Sequence, residues 1–131
     1  MAFVRFTEVN KSFVARVSIS PRGMLNFTDG ARKRYHLDEY DFCVLYYDKD
    51  AQIIGVELTK DEQAEGAIKI RKRITGADLG IKNFLDYFGI VPKKTSMYEI
   101  EQGDIQNWIN IKLDTARERK EGKKDELDEN E

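Results

Sequence analysis

GMLNFTDGARKRYHLDEYDFCVLYYDKDAQIIGVEL, residues 23–58, reads as strand, helix, strand, turn and strand. Met24 to Phe27 forms a short strand after the break at Pro21, Arg22 and Gly23. Thr28 and Asp29 are N-caps for a helix Gly30–His36, because their side-chain oxygens accept from the free N–H groups of a first turn. Asp38 to Asp41 makes a polar corner. FCVLYY (42–47) is rich in β-formers, and IIGVEL (53–58) is its hairpin partner across the turn Asp48–Gln52.

Upstream, Ala2 to Phe6 alternates apolar and polar residues, EVNK follows, and SFVARVSIS continues. This pattern predicts an N-terminal hairpin whose second strand turns Phe13, Ala15, Val17 and Ile19 to one face. Downstream, TKDEQAEG (59–66) is a polar connector and AIKIRKRI (67–74) a strand with Lys69, Arg71 and Arg73 on one side. Gly76–Gly80 reads as a loop. Ile81, Phe84, Leu85 and Phe88 recur at helical spacing, which predicts a helix with Phe84 and Phe88 buried. Gly89 stops it and Pro92 cannot prolong it. SMYEIE and NWINIKL are strands around a Gly103-Asp104 turn.

The outline repeats. Gly23 and Gly76 are 53 residues apart, as are Leu37 and Ile90, and Tyr47 and Ile100; IGVEL (54–58) and INIKL (109–113) are 55 apart. The expected fold class is β-rich α+β, a small closed barrel from two strand–helix–hairpin repeats plus the N-terminal hairpin strand. The expected domain is 1–113, with repeats at about 16–58 and 68–113. A charged tail, 114–131, follows; it keeps only Ala116 and Leu127 as apolar residues and is expected to be mobile.

RVSISPRGMLNFTDGARKRYHLDEYDFCVLYYDKDAQIIGVEL (16–58) resembles the swapped-hairpin barrel family of AbrB and MazE. The shared outline is a strand, a glycine loop, a strand, a short helix ending in an aliphatic residue, a charged corner ending in Asp, and a hairpin. Where the family has Ile-Pro before its helix, this chain has Asn26-Phe27. In the family two chains interleave to bury the strand faces. Two units in one chain complete such a barrel alone, so a monomer would suffice.

In AbrB-like regulators, arginines in and around these loops contact DNA. The resemblance therefore points to Arg16, Arg22, Arg32 and Arg34 around the first loop and helix, and to Lys69, Arg71 and Arg73 in the second unit. Guanidinium groups suit phosphates and guanine edges, being planar with several donors. The competing reading is a solvated charged face that discourages aggregation. The tail holds five Lys/Arg and eight Asp/Glu, leaving seventeen basic and sixteen acidic residues in the body, so bulk charge does not drive nucleic-acid binding.

Other chemistry is thin. The single cysteine, Cys43, sits in an apolar run and reads as a buried thiol. His36, the only histidine, lies at a helix C-terminus; a metal there would need Asp38, Glu39 and Asp41. The six tyrosines (35, 40, 46, 47, 87, 98) and Trp108 are candidate stacking platforms, but Tyr46, Tyr47 and Trp108 lie in predicted strands and read as core or half-core. No nucleophile–base pattern, phosphate-cradling loop or HExxH pairing occurs, so neither an enzyme nor a cofactor is expected. No apolar run is long enough for a membrane span, and MAFVRFTEV lacks the pattern of a signal peptide, so a cytoplasmic protein is expected. The expectation is a small non-enzymatic nucleic-acid-binding regulator of AbrB-like type. The alternative is a protein-interaction or assembly module on the same barrel.

Overall fold

A computed structural model describes residues 2–7 and 14–118. The elements are β1 (Arg16–Ile19), β2 (Met24–Thr28), α1 (Asp29–Arg34), a 3-10 turn (Leu37–Glu39), β3 (Phe42–Asp48), β4 (Ile53–Thr59), β5 (Ile68–Lys69), β6 (Arg71–Arg73), β7 (Gly76–Gly80), α2 (Lys82–Phe88), β8 (Ser96–Gln102) and β9 (Trp108–Glu118). The nine strands form one antiparallel sheet in the order β5-β3-β4-β9-β8-β1-β2-β7-β6. The two ends of that order are neighbours in the chain, since only Ile70 separates β5 from β6. Ile70 is buried and donates its N–H to the Asp41 carbonyl at 2.8 Å. One kinked strand thus pairs β3 on one side and β7 on the other, and the sheet curls into a nearly closed barrel. Closure leaves little unpaired edge for another chain to add to.

Strand alternation fills the interior. Val17, Ile19, Leu25, Phe27, Ile54, Val56, Leu58, Ile109 and Ile111 are all buried, while Ser18, Asn26, Glu57 and Asn110 fall on the opposite face of the same strands. Leu37 follows α1 and is buried in the same cluster.

The helices start and stop for identifiable reasons. The Thr28 hydroxyl oxygen accepts from Ala31 N–H at 3.2 Å and from Arg16 N–H at 3.1 Å, and donates to the Val14 carbonyl at 2.6 Å. One side chain therefore caps α1 and ties it to the approach of β1. Arg32, Lys33 and Arg34 lie in the last turn of α1, where cations suit the helix dipole. At the end of α2, Ile90 N–H reaches the Leu85 carbonyl at 2.9 Å and Gly89 N–H reaches Asp86 at 3.3 Å, with Gly89 at φ 68°. That pattern is a Schellman stop.

Four expectations are corrected. Gly76–Gly80 is a strand, not a loop: it pairs with β2 over five residues and buries Ala77 and Leu79. At Gly76, φ is 148° and an added Cβ would lie 1.9 Å from the Phe27 carbonyl oxygen, so the glycine allows two backbones to approach. Residues 2–7 form no strand, and Phe3, Val4 and Phe6 are exposed, so the N-terminal hairpin strand is absent there. Strand β9 continues to Glu118, with Arg117 opposite Met97, so the tail boundary expected at Asp114 lies inside a strand; residues 119–131 are outside the described ones. Phe88 is 42% exposed and Phe84 half-buried, because α2 packs inward through Leu85 with Ile81 just before it.

Candidate functional site

The outer wall of β1, β2, β7 and β6 carries a polar row. Pairing places Met97, Ser18, Asn26, Asp78 and Arg71 side by side on consecutive strands. The next row outward runs Arg16, opposite Glu99, then Thr28 across from Gly76, which faces Arg73. Ala77 and Leu79 point into the core, so alternation turns Asp78 outward. It is nevertheless only 5% exposed, because two arginines cover it.

Arg71 Nε donates to Asp78 Oδ1 at 2.7 Å, and Arg73 Nε donates to Oδ2. A buried carboxylate without partners would cost several kcal/mol, and the paired guanidiniums offset that. The arrangement works in reverse as well. Each guanidinium is held through Nε, so Nη donors remain beyond those the carboxylate takes, and both side chains are about half exposed. The Nη edge is the one that forks onto a phosphate or a guanine. Arg71 Nη2 also rests 3.7 Å from Met24 Sδ. Two cations around one anion leave a local charge of +1. A cavity of about 280 Å³ adjoins the cluster, lined by Ser18, Asn26, Thr28, Thr75, Arg73 and Met97 among others.

Arg32 works beneath this wall. Its Nε donates to Asp38 at 2.6 Å, while Nη1 donates to the Arg73 carbonyl and, at 3.1 Å, to the Gly76 carbonyl. It clamps the β6–β7 turn to α1. Lys72 does similar work from the other side of β6, donating to the Tyr40 carbonyl at 2.7 Å.

The seven basic residues singled out in the sequence therefore divide. Arg16, Arg71 and Arg73 share the outer wall. Arg32 is committed to structure beside them. Arg22 is exposed in the β1–β2 turn, at a cleft it shares with Lys82 and Phe84. Arg34 is exposed at the end of α1, near His36 and Gln106. Lys69 is exposed on β5 opposite Phe42, beyond the Ile70 kink that separates it from Arg71. Asp78, Asn26, Ser18 and Thr28 were missed as groove residues. The signal for Asp78 was present: a polar residue between Ala77 and Leu79 is a period of two.

Elsewhere, burial pushes the Cys43 thiol up to about 12. The Tyr46 hydroxyl is raised above the usual phenol range by its hydrogen bond to Glu57, and Tyr98 is raised by burial. His36 takes a left-handed conformation, with Nδ1 3.8 Å from Glu39. Among the described residues no group of three or more His, Cys, Asp or Glu could hold a metal ion, and no helix is long and apolar enough to cross a membrane. Comparison with protein-family models, with curated proteins and with solved structures gives no match.

Proposed function

We propose that this chain is a small, non-enzymatic nucleic-acid-binding regulator of AbrB-like type, using the outer wall of β1, β2, β7 and β6. The observation that carries the reading is the buried Asp78 carboxylate, which holds Arg71 and Arg73 by their Nε atoms while both side chains stay about half exposed. Arg16 extends the same wall.

We further infer that the barrel descends from two copies of one unit. Exchanging β1, β2, β3 and β4 for β5–β6, β7, β8 and β9 turns the pairing list into itself. β1–β2 becomes β6–β7, β3–β4 becomes β8–β9, and β1–β8 becomes β5–β3. The two remaining ladders, β2–β7 and β4–β9, pair each strand with its own counterpart. In the second, Gly55 faces Asn110 at the 55-residue offset legible in IGVEL and INIKL.

The test is Asp78→Asn, read by fluorescence anisotropy on duplex and single-stranded oligonucleotides at two salt concentrations. Charge counting alone predicts tighter binding, because an anion is removed. The proposal predicts weaker binding, because the arginines lose their mount. Arg71→Ala and Arg73→Ala should each flatten the salt dependence by roughly one unit of slope. Tighter binding by Asp78→Asn, or no wild-type binding at low salt, removes the reading.

A second reading has its own observation. Tyr87 and Val91 are 82% and 76% exposed, and Tyr87, Phe88, Phe84 and Tyr47 form one aromatic cluster with centroid spacings of 4.8 to 6.3 Å. Such a patch suits an apolar protein partner, the role of an interaction or assembly module. Loss of nucleic-acid binding together with partner binding abolished by Tyr87→Ser would favour it.

A further inference from the structure

The barrel wall formed by β3, β4 and β9 carries an aromatic pair. Tyr46 and Trp108 have ring centroids 4.7 Å apart with planes tilted by 33°. Trp108 lies across the wall over two glycines: an added Cβ at Gly55 would meet its ring at 2.4 Å, and one at Gly103 at 2.2 Å. Both polar handles are tied within the wall. Trp108 Nε1–H donates to Asn110 Oδ1 at 2.8 Å, and the Tyr46 hydroxyl donates to Glu57 at 2.7 Å.

A cavity of about 290 Å³ opens beside Trp108, which lines it together with Asp104, Ile105 and Asn110. Its rim is prefolded. Gln102 Nε2 donates to the carbonyls of Ile105, Gln106 and Trp108 at 2.7 to 3.0 Å, and Asn107 Nδ2 donates to the Leu58 carbonyl at 2.8 Å. Asp104 and Ile105 are thus held in place before any ligand arrives, which cuts the ordering cost of binding. Covering two glycines accounts for the tryptophan as packing. It does not account for an amide and a carboxylate set around an open cavity next to an exposed tyrosine.

We propose that this wall is a binding site for a neutral sugar ring. One face of a pyranose is a patch of C–H groups, which suits an aromatic platform, and its edge is a ring of hydroxyls. The edge finds both kinds of partner here. Asn110 accepts from Trp108 through Oδ1, so its Nδ2 donors are left for a ligand, and the Asp104 carboxylate accepts. The charge decides against a nucleotide: Glu57 and Asp104 flank the platform, and no basic residue lines the cavity, so a phosphate would be repelled. The arginine-bearing wall lies elsewhere on the barrel, with β8 between β9 and β1, so the two sites are separate.

Trp108 is the only tryptophan in the chain, so intrinsic fluorescence reads this wall alone. The full chain is titrated with cellotriose, chitotriose and maltotriose. The expected result is a saturable emission change with at least one of them, with a dissociation constant of about 1 mM. Asn110→Ala and Asp104→Asn should each weaken that binding about ten-fold, the equivalent of 1.4 kcal/mol, while the melting temperature holds. No emission change with any of the three sugars overturns the proposal. So does a response undiminished in both variants, which would place the sugar elsewhere, or an equal response to oligothymidylate, which would make the platform a nucleobase seat.

Discussion

The two outer walls of this barrel solve the same problem with opposite chemistry. Each has a stretch of backbone where a glycine leaves the wall thin. On the β2–β7 side the thin place at Gly76 is closed by backbone, and the wall is finished with charge: Asp78 beneath Arg71 and Arg73. On the β4–β9 side the thin place at Gly55 is closed by the Trp108 ring, and the wall is finished with aromatic surface. A backbone obstacle cannot step aside, whereas a side chain can turn. The polar wall should therefore be brittle at its glycine and the aromatic wall forgiving.

Of the two glycines, Gly76→Ala gives the larger expected effect. The new Cβ would collide with the Phe27 carbonyl in a backbone region that L-residues avoid, so a loss on the order of 3 kcal/mol or more is expected in urea unfolding. A loss well below 1 kcal/mol would mean that β7 can shift relative to β2. Gly55→Ala should cost less, roughly 1–2 kcal/mol, because Trp108 can be displaced. Its signature is a red-shifted Trp108 emission; an unmoved spectrum would show the ring is not seated on Gly55.

The helices sharpen the comparison. Leu85→Ala should cost roughly 2–5 kcal/mol, as buried leucine truncations do. Phe88→Ser, three residues on, should cost under about 1 kcal/mol, since that ring is 42% exposed. Equal costs would place the aromatic cluster in the core.

One further effect is confined to alkaline pH. Burial raises the Cys43 thiol from 9.0 to about 12, so the folded state keeps a proton that the unfolded chain releases. Its contribution is fully present below pH 9 and is lost as pH rises from 9 toward 12. Cys43→Ala should flatten the fall of stability across that window; an unchanged profile would assign the fall to other groups.

Much of the scaffold was legible because its signals are local. Alternation in the strand that ends in RVSI, the hairpin pairing of FCVLYY with IIGVEL, the Thr28 cap and the Gly89 stop each act within a short stretch. What was not legible depended on distant partners. GADLG carries two glycines and an aspartate, which locally favour a loop; only pairing with β2 and the cover of two arginines make it a strand. The α2 stripe gives four apolar positions but not which of them meet the barrel. The same holds for the basic residues. Their number is visible in the chain, but that Arg32 is spent on carbonyls while Arg71 and Arg73 are mounted on Asp78 is a fact of three dimensions.

The halves of the chain are shuffled like cards. Each of β1, β2, β3 and β4 has a neighbour from beyond the exposed connector 60–66, through the ladders β1–β8, β2–β7, β3–β5 and β4–β9. A protease nick in that connector would sever the covalent chain and leave those four ladders standing. The two fragments would remain one particle, joined by backbone pairing where the covalent link had been.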